Sequence, residues 1–417
     1  MLETRKVSLF FSLPLELREE IYKSVLSSPS EGSNMLRTCH EIRNEAHKFL
    51  YQKPLVFRGQ EALYTWLEQT PRELIAHVSE ITVNVQDVDL RPILCSAVLS
   101  SQFSTPSNLP TSEMYHTEVG RLEQALKEMP KVKTITLRAL SNQPSFLYRH
   151  FVSRILEVLG TSCPALVDLR LEGNFHHQEL QFLMALTNLE SFSFDGFSSS
   201  SPATVIRVLG SLNRLRNLSL VSERVLLTPN AGLHSGYTEK CQSFTGDVVR
   251  TMRQLASFSV TEHVSTSSPT LFFTSEILNS LSEHKTLRSL SIRLSHPPDM
   301  ATLSSLEKFL ERTAIEHLEL DWPDLEPDIL EQYRLLSGSL RTLWVRVESE
   351  ADAFDILWSI LESRHAGDLL SLRKVVLLRS TKSYRAVPEE IAEKKAGDIK
   401  LATMGAHKVS LFQCCTS

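Results

Sequence analysis

The 417-residue chain carries 44 basic and 49 acidic side chains, a net charge of −5, with no Lys/Arg block, so the electrostatic footprint of a nucleic-acid binder is missing. No apolar run approaches the ~20 residues needed to span a membrane. The six cysteines (Cys39, Cys95, Cys163, Cys241, Cys414 and Cys415) are scattered apart from the final pair; without a C-x-x-C pair or zinc-site spacing they predict reduced thiols and no metal.

In chain order, Val7 to Phe11 is too short for the apolar core of a secretory signal and runs at once into Pro14 and charged residues. An intracellular protein, cytoplasmic and/or nuclear, is therefore expected. Pro14 suits the first turn of a helix, where its missing N–H costs nothing. Leu17, Ile21 and Val25, with Leu13, Tyr22 and Leu26, then fall at i, i+4 and i+8 and are expected to make one apolar stripe. A polar stretch, Ser27 to Asn34, separates this helix from a second one whose apolar positions are Met35, Cys39, Ile42, Ala46, Phe49 and Leu50. Leu55-Val56-Phe57 reads as a strand, and Gly59 to Gln69 as a linking helix stopped before Pro71. Val78 to Val83 is a degenerate first repeat. Ser100 to Ser112, rich in Ser, Thr, Pro and Asn, reads as a flexible insertion, and Thr117 to Met129 as a helix.

From residue 132 one phrase recurs, L-x-x-L-x-L, whose last two apolar residues alternate as on a strand buried on one face. Its nine copies begin at Val132, Leu166, Leu189, Leu215, Leu255, Leu287, Ile315, Leu340 and Leu372, at steps of 23 to 40 residues. The segments between them are mostly helical by period. This is the leucine-rich-repeat pattern of a strand-plus-outer-segment solenoid. Only Asn174, in Leu171-Glu-Gly-Asn174, occupies the position from which short repeats build an asparagine ladder. Ser222–Gly246 and His263–Thr270 read as surface loops, and Ser380–Ala406 as a charged, partly helical closing cap. The expected divisions are residues 1–57, a helical module; 58–131, linker helix, degenerate repeat and insertion; 132–379, irregular repeats; and 380–417, cap and tail.

In such a solenoid the residue between the last two apolar positions, and the one just after them, face the inner side. Arg170, Glu172, Arg293, Glu319, Asp321, Trp344 and Arg346 are the candidates there for holding a protein partner. Trp344 and Arg346 come first, since aromatic and arginine side chains dominate binding energetics. A solvated face with cross-strand ion pairs is the alternative.

The N-terminal residues carry a resemblance. Leu13-Pro14-x-Glu16-Leu17 with Ile21 and Leu26 resembles the opening of an F-box. Leu36-Arg-Thr-Cys39-His-Glu-Ile42-Arg-Asn-Glu45-Ala46, followed by Leu55-Val56-Phe57, is similar to the F-box-like domains of fungal proteins. With the repeats, the likeness is to F-box leucine-rich-repeat proteins over most of the chain. It implies an α/β solenoid (a horseshoe) with a small F-box-like helical module, acting as a non-catalytic substrate receptor of an SCF-type ubiquitin ligase. Leu13, Pro14, Leu17, Ile21 and Leu36 would then face, or shape the surface that faces, a Skp1-like adaptor, and the repeats would hold a protein substrate. The alternative is a repeat scaffold whose two N-terminal helices are only a folding cap, which terminal repeats require.

Catalytic chemistry has little support. His176-His177 with Glu179 is the one tight cluster of acid–base residues, without a metalloprotease helix or triad spacing beside it. With 14 glycines and no glycine-rich phosphate loop, no cofactor is expected and the chain reads as no enzyme. Cys414-Cys415-Thr416-Ser417 has the outline of a prenylation box at Cys414, with middle residues that fit it poorly.

Overall fold

The computed structural model describes residues 9–27, 32–89, 109–140, 145–176, 178–222, 243–263 and 270–379, and the backbone of 399–404 and 409–414. By compactness the chain divides into two units, Met1–Leu169 and Arg170–Ser417.

The first unit opens with a 3₁₀ turn, Leu9–Ser12, and three helices: α1 (Leu15–Ser27), α2 (Gly32–Met35) and α3 (His40–Leu50). Strand β1 (Leu55–Phe57), helices α4 (Gln60–Gln69) and α5 (Arg72–Ile75), strand β2 (Glu80–Val85), helix α6 (Leu109–Lys127), strand β3 (Thr134–Ala139) and helix α7 (Phe146–Ser162) follow. The strands lie parallel in the order β1-β2-β3, with Val83 aligned on Phe57 and Leu137 on Val83. Helix α6 begins at Leu109 rather than Thr117, so the end of the expected insertion is helical; residues 100–108 lie outside the described residues. Tyr115, Val119, Leu122 and Leu126, at i, i+4, i+7 and i+11, form its buried stripe.

Strand β4 (Asp168–Glu172) spans the boundary between the units. The second unit then runs through a 3₁₀ turn Gln181–Ala185, β5 (Ser191–Phe194), α8 (Pro202–Ser211), β6 (Asn217–Ser222), α9 (Gly246–Thr251), β7 (Ser257–Glu262) and α10 (Ser275–Leu281). It continues with β8 (Ser289–Leu294), α11 (Met300–Arg312), β9 (His317–Asp321), α12 (Pro327–Gln332), β10 (Thr342–Val347), α13 (Glu350–His365) and β11 (Lys374–Arg379). Strands β5 to β11 are parallel neighbours in chain order, the arrangement a strand-and-helix repeat requires. The backbone of β12 (Ile399–Met404) and β13 (Val409–Cys414) extends it antiparallel, with β13 against β11. Of the expected closing cap, Ser380–Ala406, only the backbone of 399–404 is described, and it is strand; the rest lies outside the described residues.

The repeat phrase explains the register. Leu218, Phe258, Leu290, Leu318, Leu343 and Val375 align across β6 to β11, as do Leu220, Val260, Ile292, Leu320, Val345 and Leu377, and all twelve are buried. The leading residue of each phrase, Leu215 through Leu372, is buried beneath the turn that enters the strand. No asparagine ladder is needed there. Each entering turn is held by one carbonyl of the preceding repeat that accepts two N–H groups. Arg216 O takes Ala256 and Ser257, Ala256 O takes Arg288 and Ser289, and Glu316 O takes Arg341 and Thr342, all at 2.7–3.1 Å.

Helix starts follow capping chemistry. Ser145, Ser201, Thr274 and Asp299 each accept a backbone N–H from three residues on, and Ser349 with Asp352 closes a full capping box. One buried carboxylate interrupts the apolar pattern. Glu262, in register with Ser222 and Leu294 at the end of β7, is buried and accepts the backbone N–H groups of Leu271 (3.0 Å), Phe272 (2.8 Å) and Phe273 (3.2 Å). It fixes the segment that places Phe272 against Phe197 and Phe244. Phe272 packs so closely on Gly196, whose φ is +81, that a Cβ there would lie 2.2 Å from the ring.

Candidate functional site

Two surfaces carry the residues singled out in the sequence. The first is the helical module at the start of the first unit. Its core is Tyr22, Leu26, Ala46 and Phe49, with Phe10, Met35, Leu36, Ile42 and Leu50 packed against it. Cys39 is the N-cap of α3, its Sγ accepting the Ile42 N–H at 3.5 Å. Ala46, small enough to let α1 approach, is buried, and Glu45 beside it fastens the two helices. Its carboxylate accepts the Tyr22 hydroxyl at 2.7 Å and pairs with the Arg18 guanidinium at 2.7 Å. Arg18 also donates to Phe11 O at 3.0 Å, and Lys48 pairs with Glu19 at 2.5 Å. Burial first, then the bond to Glu45, raises the Tyr22 phenol above its ordinary range. The Cys-x-x-Ile-x-x-Glu-Ala pattern is thus accounted for as cap, core contact, clamp and close approach.

This clamp decides which way α1 turns. Tyr22 and Leu26 point inward. Leu17 (53% exposed) and Ile21 (37% exposed), one turn apart, face away from that core, with Leu9, Pro14 and Leu15 also exposed. The spacing grouped Leu17, Ile21 and Val25 into one stripe with Tyr22 and Leu26; the structure separates Leu17 and Ile21 from that stripe. Of the residues expected at an adaptor surface, Leu13 is half-buried, Pro14, Leu17 and Ile21 are exposed, and Leu36 packs partly buried against the module core. The clamp of Arg18, Tyr22 and Glu45 was not read from the sequence, although Arg18 and Tyr22 stand at i, i+4 on the helix.

The second surface is the polar face of the sheet in the second unit. Register puts Ser193, Ser219, Ser259, Ser291, Glu319, Trp344 and Val376 in one row, and Thr261, Arg293 and Asp321 beside it. The Glu319 carboxylate accepts the Ser291 hydroxyl at 2.6 Å and pairs with Arg293 Nε at 2.7 Å. Arg346 lies 3.6 Å from Asp321 and 3.3 Å from Glu348. Lys374 Nζ stands 5.5 Å from the centroid of the Trp344 ring, within cation–π range. Burial raises the Asp321 carboxyl above the usual aspartate range, against the opposing pull of Arg346. Arg293, Glu319, Asp321, Trp344 and Arg346 are therefore brought together on β8 to β10. Arg170 and Glu172 lie on β4, with β5, β6 and β7 between them and this group in strand order.

The acid–base cluster takes a different form from the one expected. His176 Nε2 lies 3.0 Å from Asp195 Oδ2, its ring 4.8 Å from that of Phe197, while Asp195 Oδ1 accepts the Phe197 N–H at 2.9 Å. Glu179 is exposed, and His177 lies outside the described residues. No group of three or more His, Cys, Asp or Glu residues among the described residues is placed to hold a metal ion, and none of the helices searched there is long and apolar enough to cross a membrane. The prenylation reading rests on the Cys414 side chain, which is outside the described residues.

No protein-family model matches the chain, and no curated protein matches it. Among solved structures it is similar to the crystal structure of the yeast Rad7 and Elc1 complex, at 13% identity and a TM-score of 0.31, covering 81% of this chain and 90% of that chain.

Proposed function

We propose that the chain is a non-catalytic substrate receptor of an SCF-type ubiquitin ligase. The exposed side of α1 docks on a Skp1-like adaptor, and the polar sheet face around Trp344 holds a protein substrate. The observation that carries the reading is the orientation of α1. A helix that served only as a lid would turn its apolar side chains inward. Here Tyr22 and Leu26 satisfy the module core, and Leu17 and Ile21 remain outside it. Burying two such side chains in an interface contributes about 1.5–3 kcal/mol each.

The test is binding of the full chain to a purified Skp1 protein, compared with the double variant Leu17→Asp plus Ile21→Asp. Both positions are exposed, so the variant is expected to keep its circular dichroism spectrum and unfolding midpoint while losing more than about tenfold in affinity. A chain beginning at Gly59 should not bind. Equal binding by the double variant, or none by the folded wild type, would favour the repeat scaffold whose N-terminal helices only close the array.

A further inference from the structure

The turns that enter β6, β7 and β8 lie side by side, locked by the carbonyl ladder in which Arg216 O accepts Ala256 N–H and Ala256 O accepts Arg288 N–H, each at 2.8 Å. Residues 212–216, 252–256 and 284–288 make up these turns. They contain five cations, Arg214, Arg216, Arg253, Lys285 and Arg288, and no carboxylate. That is a local reversal of sign in a chain whose net charge is −5. All five are exposed, and their pairing is uneven. Arg214 bonds the neutral amide oxygen of Asn188 at 2.8 Å. Arg288 stands 3.5 Å from Glu316, which Arg341 approaches more closely, at 3.0 Å. The side chains of Arg216, Arg253 and Lys285 have no hydrogen-bond or ion-pair partner among the described residues.

The same edge is hollowed on both sides of Arg253. One depression, about 310 Å³, is lined by Arg250, Arg253, Glu283, His284, Lys285 and Thr286. The other, about 220 Å³, lies between Leu209–Asn213 and Thr251–Gln254, again with Arg253 in its wall. In the first, Arg250 is neutralised by Asp247 (2.6 Å) and Glu283 (3.1 Å). Burial keeps His284 below the ordinary imidazole range, its Nε2 directed at Val249 O at 2.9 Å. With Arg253 and Lys285 beside Arg250, Asp247 and Glu283, three cations stand against two carboxylates, an excess of one positive charge at the first hollow, and Arg253 and Lys285 are the cations there without an ion-pair partner among the described residues.

We propose that this edge is a second docking surface, separate from the polar sheet face, which takes a short acidic protein segment whose carboxylates pair with Arg216, Arg253 and Lys285. Its extent selects that partner. Three entering turns at strand spacing span about 10 Å, which is roughly three residues of extended peptide. Arginine's planar donors suit carboxylates in two-point contact. A nucleic acid would release only about two to three counterions on three cations, too few to hold a polyphosphate at physiological salt, while the rest of this negatively charged chain repels it.

The test is fluorescence anisotropy of labelled hexaglutamate with the full chain at low and at physiological ionic strength, beside an oligothymidylate of equal charge. Charge reversal by Arg216→Glu, Arg253→Glu and Lys285→Glu together is expected to weaken hexaglutamate binding more than about tenfold. Arg253→Gln alone, which keeps the wall between the hollows, should weaken it about threefold. An equal change of net charge on the outer helices, Arg207→Glu, Lys308→Glu and Arg312→Glu, should leave it within about twofold. The proposal is overturned if wild type fails to bind hexaglutamate at low salt, or if the edge reversal has no effect. It is also overturned if the outer-helix reversal weakens binding as much, or if the oligothymidylate binds more tightly. None of these outcomes depends on the adaptor reading, which the Leu17 and Ile21 variant tests separately.

Discussion

Glu262 offers the sharpest test of how the second unit is held together. Its carboxylate is buried and gathers three backbone donors, Phe272 and Phe273 on Oε1 and Leu271 on Oε2. Glu262→Gln keeps the shape and one acceptor oxygen. If that oxygen serves Phe272 and Phe273, the amide nitrogen must point at the Leu271 N–H, so one bond is lost and two donors face each other. A hydrogen bond to a charged group contributes about 1.5–3 kcal/mol, and a buried donor left unsatisfied costs about 1–3 kcal/mol. The Gln variant should therefore cost about 2–3 kcal/mol and Glu262→Ala, which strands all three donors, about 3–5 kcal/mol. Repeat arrays need not unfold in one step, so a melting curve is a poor readout. Hydrogen exchange at the amides of residues 271–273 measures the local opening directly, and a loss of 2–3 kcal/mol lowers protection roughly 30- to 150-fold. Protection within about threefold of wild type in the Gln variant would refute the assignment of Glu262 as the acceptor that fixes this segment.

Gly196→Ala should destabilise the same region by about 3 kcal/mol or more. The new Cβ would sit 2.2 Å from the Phe272 ring at a φ of +81, adding overpacking to left-handed backbone strain; unchanged hydrogen-exchange protection at residues 271–273 would contradict this. His284 is held below the ordinary imidazole range by burial. As pH falls the unfolded chain takes the proton first, so stability is lost from about pH 6.5 downward. His284→Gln, able to donate to Val249 O without titrating, should flatten the stability profile between about pH 5 and 7, and an equally steep profile would count against it. Asp321 has the opposite sign. Burial raises its carboxyl, so the native state holds the proton more readily than the unfolded chain. That contribution is fully present below about pH 3.9 and is lost as pH rises through the raised value. Relative to wild type, Asp321→Asn should gain stability between pH 4 and 7; a relative loss would mean that the Arg346 pair outweighs burial.

The strands were legible because one-sided burial writes a period of two into the sequence. Leu218 and Leu220, or Leu318 and Leu320, point inward with Ser219 or Glu319 between them. The cap side chains that start helices at Ser201-Pro202 and Ser349 were not read from the sequence. Nor was the facing of α1. Apolar residues surround that helix, so periodicity could place Tyr22 with Leu17 and Ile21 equally well. What separates them is the Glu45 carboxylate, 23 residues from Tyr22 in sequence, and a tertiary hydrogen bond leaves no local period. The cross-strand pairs on the polar face stood closer to reach. Once the phrases are aligned, Ser291 must lie beside Glu319 and Arg293 beside Asp321. Register gives adjacency but not choice of partner, and Arg293 pairs diagonally with Glu319.

That choice bears on where a partner would gain most. Inside the repeat phrase, the positions facing the sheet's polar side are largely satisfied. Glu319 holds Ser291 and Arg293, Arg346 is shared by Asp321 and Glu348, and Lys374 covers Trp344. A partner landing there must displace contacts of similar strength, so charge contributes little and the apolar edge of Trp344 contributes most. The positions at the entering turns are the reverse: their backbones are locked by the carbonyl ladder, while Arg216, Arg253 and Lys285 are left unpaired among the described residues. Cations without partners have no existing ion pair to give up on binding. One repeat unit thus generates two chemically different surfaces, a neutralised face suited to shape and an edge suited to charge. Raising ionic strength should therefore weaken binding at the edge far more than at the face.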